Sequence, residues 1–121
     1  MNQSLDQIAQ QILQQLVSFD TTSYKSNLAL VDFVRHYLKG HGIDSQLVPD
    51  DSGNKANLFA TIGANPQQPE QGGIMLSGHT DVVPVAAQDW LTDPFTLVEH
   101  EGKLFARGSA DMKGFIALVL S

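Results

Sequence analysis

Leu5, Ile8, Ala9, Ile12, Leu13, Leu16 and Val17 recur at the spacing that gathers apolar side chains on one face of a helix. Ser4, followed three residues later by Gln7, is a capping-box pattern that marks where this helix begins. A second helix is predicted from Leu30, Phe33, Val34 and Tyr37, widened by Val31 and Leu38. It starts near Ser26 or Asn27 and ends at Gly40, His41 and Gly42, where glycine accepts the left-handed turn past a helix terminus. The period then changes to two. Ile43, Ser45 and Leu47 face one way and Asp44, Gln46 and Val48 the other, a strand that Pro49 to Gly53 breaks.

Asn57 to Ile62 predicts another short strand, and Gly63 to Gly73, with Pro66 and Pro69, predicts an exposed loop too short to link domains. Ile74, Met75 and Leu76 are apolar without alternation, the pattern of a strand covered on both faces, which would deliver Ser77 to Asp81 at its C-terminal end. Phe95 to Val98 and Lys103 to Ala106 read as strands separated by a turn at Glu101 and Gly102, and Asp111 to Leu120 as an apolar helix. Helices, strands and a closing helix in this order predict an α/β layer architecture without internal repeats.

Composition narrows the function. The 121 residues are 42% hydrophobic and 17% charged, enough to fill a core and incompatible with a disordered tail. Seven Lys and Arg against 13 Asp and Glu give a net charge of −6 with no basic cluster, which argues against a nucleic-acid partner. The absence of cysteine excludes disulfides, thiolate zinc sites and thiol catalysis, and fits a cytoplasmic location. No stretch approaches the ~18 apolar residues of a membrane span, and the N-terminus has no export signal, so no membrane partner is expected. The apolar run Phe115 to Leu120 stops without a polar tail, which reads as an interrupted end.

His79 and Asp81 lie two apart just after the apolar run at 74–76, so both side chains are expected on one side of the backbone, in the crevice where α/β sheets bind ligands. A His beside a carboxylate is also a metal-site arrangement, one residue ligating and the other orienting it. Ala106 to Gly114 reads A-R-G-S-A-D-M-K-G, with glycines framing Asp111 so that its carboxylate can project from a tight backbone; the bland alternative is a helix cap. His36 and His41 suit the second helix and its end, and His100 an exposed turn. Trp90 and Phe95 suit packing more than a cleft. Arg107 and Lys113 either meet a substrate carboxylate or serve solvated or structural roles, and no motif recruits Glu70 or Glu99.

Three segments in register, Ser77 to Pro84, Trp90 to Phe95 and Gly102 to Gly114, resemble the acetylornithine deacetylase and succinyl-diaminopimelate desuccinylase family of dinuclear zinc hydrolases. The resemblance spans essentially the whole chain, and Phe115-Ile116-Ala117 after Lys113-Gly114 is most similar to the acetylornithine deacetylases. It implies the N-terminal part of a three-layer, zinc-exopeptidase-like catalytic domain with a mixed sheet flanked by helices, covering residues 1–121, the remainder and a dimerisation domain lying elsewhere. His79 would ligate one metal, Asp81 would be the catalytic carboxylate that supports it, Asp111 would bridge two metals, and the Asp111-Met112 peptide would be cis. Imidazole and carboxylate suit Zn(II), and also Co(II), and a bridging carboxylate offsets the repulsion of two ions ~3.5–4 Å apart. The implied reaction is hydrolysis of an N-acyl amino acid: loss of acetyl from N2-acetyl-L-ornithine in arginine biosynthesis, with succinyl-diaminopimelate desuccinylation or a related exopeptidase reaction as the alternative. The family's glutamate base, a further acidic ligand and a late histidine fall beyond Ser121, so this stretch alone is expected to be inactive and a truncated, non-catalytic product is the competing class. A homodimer is implied for the complete enzyme; the substrate-binding residues are unassigned.

Overall fold

Ser4 begins the first helix as its sequence requires: the Gln7 amide donates to Ser4 Oγ at 3.3 Å and the Ser4 amide to Gln7 Oε1 at 3.0 Å. In this computed structural model, which describes residues 3–121 apart from 64, 66, 69 and 70, that helix, α1, runs Leu5–Ser18. Pro66, Pro69 and Glu70 lie outside the described residues. The chain divides into two units, one of residues up to Ser26 with Gly78–Ser121, the other Asn27–Ser77.

In the second unit, α2 spans Leu28–Gly40 and buries Leu30, Val31, Val34 and Leu38, packing on β1 (Ser45–Pro49) and β2 (Ala56–Ala60). The two strands pair antiparallel, Ser45 opposite Ala60 and Pro49 opposite Ala56. Asn27 precedes α2 but does not cap it with its side chain. Instead its amide donates to the Ala56 carbonyl at 2.9 Å and accepts from the Ala56 amide at 3.0 Å, fixing β2 to the start of the helix. The strand expected at Ile74–Leu76 does not form. These side chains are 91, 79 and 60% exposed. A strand is buried on both faces only between neighbours, and among the described residues every strand is already taken up in a separate two-stranded sheet.

In the first unit, α1 buries Ala9, Ile12, Leu13, Leu16 and Val17 and packs against α3 (Gly114–Leu120). β3 (Val98–His100) and β4 (Lys103–Phe105) form an antiparallel hairpin whose turn residues, Glu101 and Gly102, both take positive φ, the twist-matched two-residue connection. The strand expected from Phe95 starts only at Val98, because Asp93 Oδ1 accepts the Phe95 amide at 2.9 Å and holds the segment in a turn. The helix expected from Asp111 is likewise broken. Ser109–Lys113 makes one wide turn, closed by the Lys113 amide donating to the Gly108 carbonyl at 2.8 Å, with Asp111 and Met112 outside helical geometry, and α3 begins only at Gly114. Among the described residues no helix is long and apolar enough to cross a membrane.

Two glycines permit that turn. Gly108 has φ +80°, and a Cβ there would lie 2.5 Å from Val82 Cγ1; a Cβ on Gly114 would lie 2.3 Å from the Ser109 carbonyl oxygen. Lys113 is wholly buried, and its ammonium donates to the Phe19 carbonyl at 2.8 Å. Burial pushes its pKa down to about 8, against a smaller upward pull from Asp20.

Two outcomes are expected. Because Lys113 titrates near 8 folded and 10.5 unfolded, the unfolded chain binds more protons between those values, and stability rises with pH there as the cost of a buried charge is relieved. Relative to Lys113→Met in chelating buffer, the unaltered chain should gain roughly 2–3 kcal/mol over that interval in denaturant melts; parallel pH profiles would refute the assignment. Gly108→Ala should lower stability by about 1–2 kcal/mol for the left-handed backbone plus a steric cost, and adding Val82→Ala should recover only the steric part.

Candidate functional site

The site grows from the exit of α1. Beyond Ser18 the chain enters a polar stretch, Asp20-Thr21-Thr22-Ser23, in which Asp20 Oδ1 accepts from the Thr22 amide at 3.2 Å and the Thr22 hydroxyl at 2.5 Å. Asp20 also pairs with Lys25. Burial opposes ionisation of Asp20, but Lys25 and Thr22 together hold its carboxyl below the usual range. This stretch grips a second segment. Thr22 bridges Val82 in parallel, the Val82 amide donating to Thr21 O at 3.1 Å and the Ser23 amide to Val82 O at 3.0 Å, while the Thr21 hydroxyl donates to Thr80 O at 2.6 Å.

His79 sits at the mouth of that segment. Its Nδ1 faces the Asp81 carbonyl oxygen at 3.1 Å and Asp81 Oδ1 at 3.2 Å; its Nε2 lies 3.0 Å from Asp111 Oδ1. The three residues singled out in the sequence are therefore brought together, His79 in the middle. Asp111 reaches it from the turn at 109–113, where the Asp111-Met112 peptide is cis, as the family resemblance implies, and Met112 Sδ accepts the His79 amide at 3.3 Å. Burial works against a charged His79 ring, but the Asp81 carbonyl, the Asp111 carboxylate and the charges of both acids outweigh it and raise its pKa. The Asp111 side chain is 87% exposed, so it retains lone pairs for a further partner. An open cleft of about 240 Å³ lies in front, lined by His79, Asp81, Val83, Arg107, Ser109 and Asp111 among others.

The other candidates fall elsewhere. His36 Nδ1 donates to Asp32 O at 2.7 Å and His41 Nδ1 to Tyr37 O at 2.9 Å, both along α2, and His100 is an exposed residue of β3 beside Glu101. Glu99 is exposed on β3. Arg107 lines the cleft but is spent on structure: its guanidinium donates to Gln88 and stacks 5.2 Å from the Trp90 ring centroid. Trp90 Nε1 and Arg107 Nε are buried there without a hydrogen-bond partner among the described residues. Lys113 does not face the cleft; it fastens the Asp111 turn to Phe19. Sequence reasoning missed Thr21 and Ser23, although four consecutive short hydrogen-bonding side chains after a helix are a visible turn-forming signal.

Among the described residues no group of three or more His, Asp or Glu is arranged to hold a metal ion; His79 and Asp111 are two converging donors. Known proteins extend this picture. The pattern defining peptidase family M20/M25/M40 matches residues 75–121, which contain all three site residues. The chain is 45% identical over 103 residues to an acetylornithine deacetylase of Proteus mirabilis (strain HI4320), covering 84% of this chain and 25% of that protein. It is 44% identical over 103 residues to the acetylornithine deacetylase of Yersinia pseudotuberculosis serotype O:1b (strain IP 31758), with 84 and 26% covered. The chain thus spans about a quarter of the length of these relatives. The crystal structure of human carnosine dipeptidase 1 superimposes with a TM-score of 0.71 and 25% identity over 97% of this chain and 31% of that one. The chain is thus an α/β fragment similar in sequence and fold to these hydrolases, and its residues 75–121 match the pattern of peptidase family M20/M25/M40.

Proposed function

We propose that this chain is the N-terminal portion of the catalytic domain of a metal-dependent amide hydrolase, and that the complete enzyme removes the acetyl group from N2-acetyl-L-ornithine. The observation that carries the reading is the 3.0 Å approach of His79 Nε2 to Asp111 Oδ1. Ligand atoms ~2.0 Å from a tetrahedral zinc lie about 3.3 Å from each other, so this nitrogen and oxygen already have nearly the separation that one shared ion demands. Their chemistry fits as well, since a neutral imidazole and a carboxylate suit Zn(II) or Co(II). Identity of 44–45% to proteins described as acetylornithine deacetylases favours that substrate over the dipeptide suggested by the more distant structural neighbour.

In this reading His79 and Asp111 would hold the first ion, and the exposed Asp111 carboxylate would have lone pairs left for a second. Such an ion polarises an amide carbonyl and activates water for attack. The chain's own residues supply position. Asp81, whose Oδ1 lies 3.2 Å from His79 Nδ1, would accept a hydrogen bond from that side of the ring when the other nitrogen ligates. The cleft in front of the pair receives the acyl group, and the general base and remaining ligands come from the rest of the polypeptide.

Calorimetric titration of the 121-residue chain should give weak Zn(II) binding that His79→Ala and Asp111→Ala each diminish about tenfold or more; equal binding by all three proteins would mean that the wrong residues have been chosen. For the substrate, the chain can replace the matching quarter of the Proteus mirabilis acetylornithine deacetylase. The chimera should hydrolyse N2-acetyl-L-ornithine in preference to succinyl-diaminopimelate or a dipeptide and lose about 100-fold or more of kcat on His79→Ala. A preference for either other substrate would overturn the assignment, and a chimera that folds but hydrolyses none would favour a non-catalytic product.

A further inference from the structure

We infer that Met112 is a positioning residue for the candidate site: its thioether docks the main chain of His79 onto the turn that carries Asp111, so that the two side chains meet at a set separation. Why the pair should be held there rests on the metal reading above, but the docking itself does not. The His79 amide donates to Met112 Sδ at 3.3 Å, and the preceding residue of the turn, Asp111, meets the His79 ring at 3.0 Å. Two neighbours in one turn therefore grip one residue of another segment, the first by its ring and the second by its backbone. A single contact would let either segment pivot about it. Two contacts, taken through different parts of His79, fix where the ring stands as well as where the chain runs. The Asp111 side chain is 87% exposed, so packing cannot place it. Its place is set by the turn beneath it, and Met112 is where that turn meets the His79 backbone.

The approach is close enough to need glycine on the facing side. A Cβ built on Gly78 would lie 3.1 Å from Met112 Cε, 3.2 Å from Ile116 Cγ1 and 3.3 Å from Phe115 Cδ1, so the residue before His79 is laid on the methyl group that adjoins the sulfur. Methionine suits the place on two counts. It is unbranched and flexible enough to reach over Gly78 from a backbone outside helical geometry, φ −140° and ψ 32°. Its sulfur is also an acceptor, weak and uncharged, matched to a single amide. A hydrocarbon side chain of the same length would fill the space and leave that amide without its acceptor.

The test uses the chain with Met75→Leu, an exposed position whose replacement leaves Met112 the one methionine after Met1. Growth on methionine, selenomethionine or norleucine then places sulfur, selenium or a methylene at the same point of one side chain, and NMR is recorded in chelating buffer. Norleucine keeps the shape and loses the acceptor, so the His79 amide should exchange with solvent about threefold or more faster. The Val82 amide, held by Thr21 O at 3.1 Å, should keep its rate. Relaxation of the His79 ring carbons should show a less ordered ring with norleucine, and selenomethionine, which retains an acceptor, should restore both readings. A Met112 that merely fills space would leave the ring unmoved. Met112→Leu gives the same readings from an encoded variant should norleucine disturb the fold. Equal amide rates in the methionine and norleucine chains overturn the inference, as does a ring that keeps its order once the amide is freed, or an equal acceleration at Val82. Zinc titration of the same samples separates the two ideas. A ring that loosens without sulfur in chains that take up no zinc refutes the metal reading and leaves the Met112 assignment standing, whereas zinc uptake with an amide and ring indifferent to the sulfur does the reverse.

Discussion

The carbonyl of Phe19 accepts the buried ammonium of Lys113, and within four residues Thr21 and Ser23 lock onto Thr80 and Val82. Every feature of the candidate site hangs from this short exit of α1. One grip sets the turn that projects Asp111; the other sets the segment that carries His79 and Asp81. Because both end on the same few residues, the 3.0 Å separation of His79 and Asp111 is fixed by two rigid attachments to a common base. A buried lysine is an expensive way to make one of them, since taking an ammonium from water lowers its proton affinity, here to a pKa of about 8. It is tolerated because the Phe19 carbonyl, just past the end of α1, accepts the ammonium alongside the Thr21 amide at 3.0 Å.

Much of the fold was legible because its determinants are local. The capping box at Ser4 and Gln7, the glycine-terminated α2, the alternation in β1 and the Glu101-Gly102 turn each act within a few residues, and each appears where the pattern puts it. The departures have the opposite character. Ile74, Met75 and Leu76 have a strand's composition, yet a strand is defined by its neighbours, and none lies beside them among the described residues. Phe95 was claimed by the Asp93 side chain, and the helical period from Asp111 onward concealed a backbone that leaves helical geometry at Asp111 and Met112 before it winds.

The site divides in the same way. His79, Asp81 and Asp111 stand out as residue types suited to metals, in motifs that a family resemblance could align. Lys113 and Met112 are invisible to such reasoning because their partners lie 94 and 33 residues away, and nothing in a lysine's local sequence says that it faces a carbonyl across the core. Lys113 was open to a reading as a substrate contact; burial decides against it. The chemistry of a site can be read from its ligands, but the residues that aim them are known only once the chain is folded.

The 94-residue separation of Phe19 and Lys113 has a consequence in time. A ribosome adding about 5–20 residues per second needs some 5–20 s to reach the lysine after making the phenylalanine. Throughout that interval α1 has its apolar face but neither α3 nor the 109–113 turn to cover it, and for most of it Thr21 and Thr22 lack the segment at 80–82 that they later grip. The helix made first is thus completed last, and a nascent chain must keep Leu16 and Val17 from other surfaces until the far end of this stretch arrives.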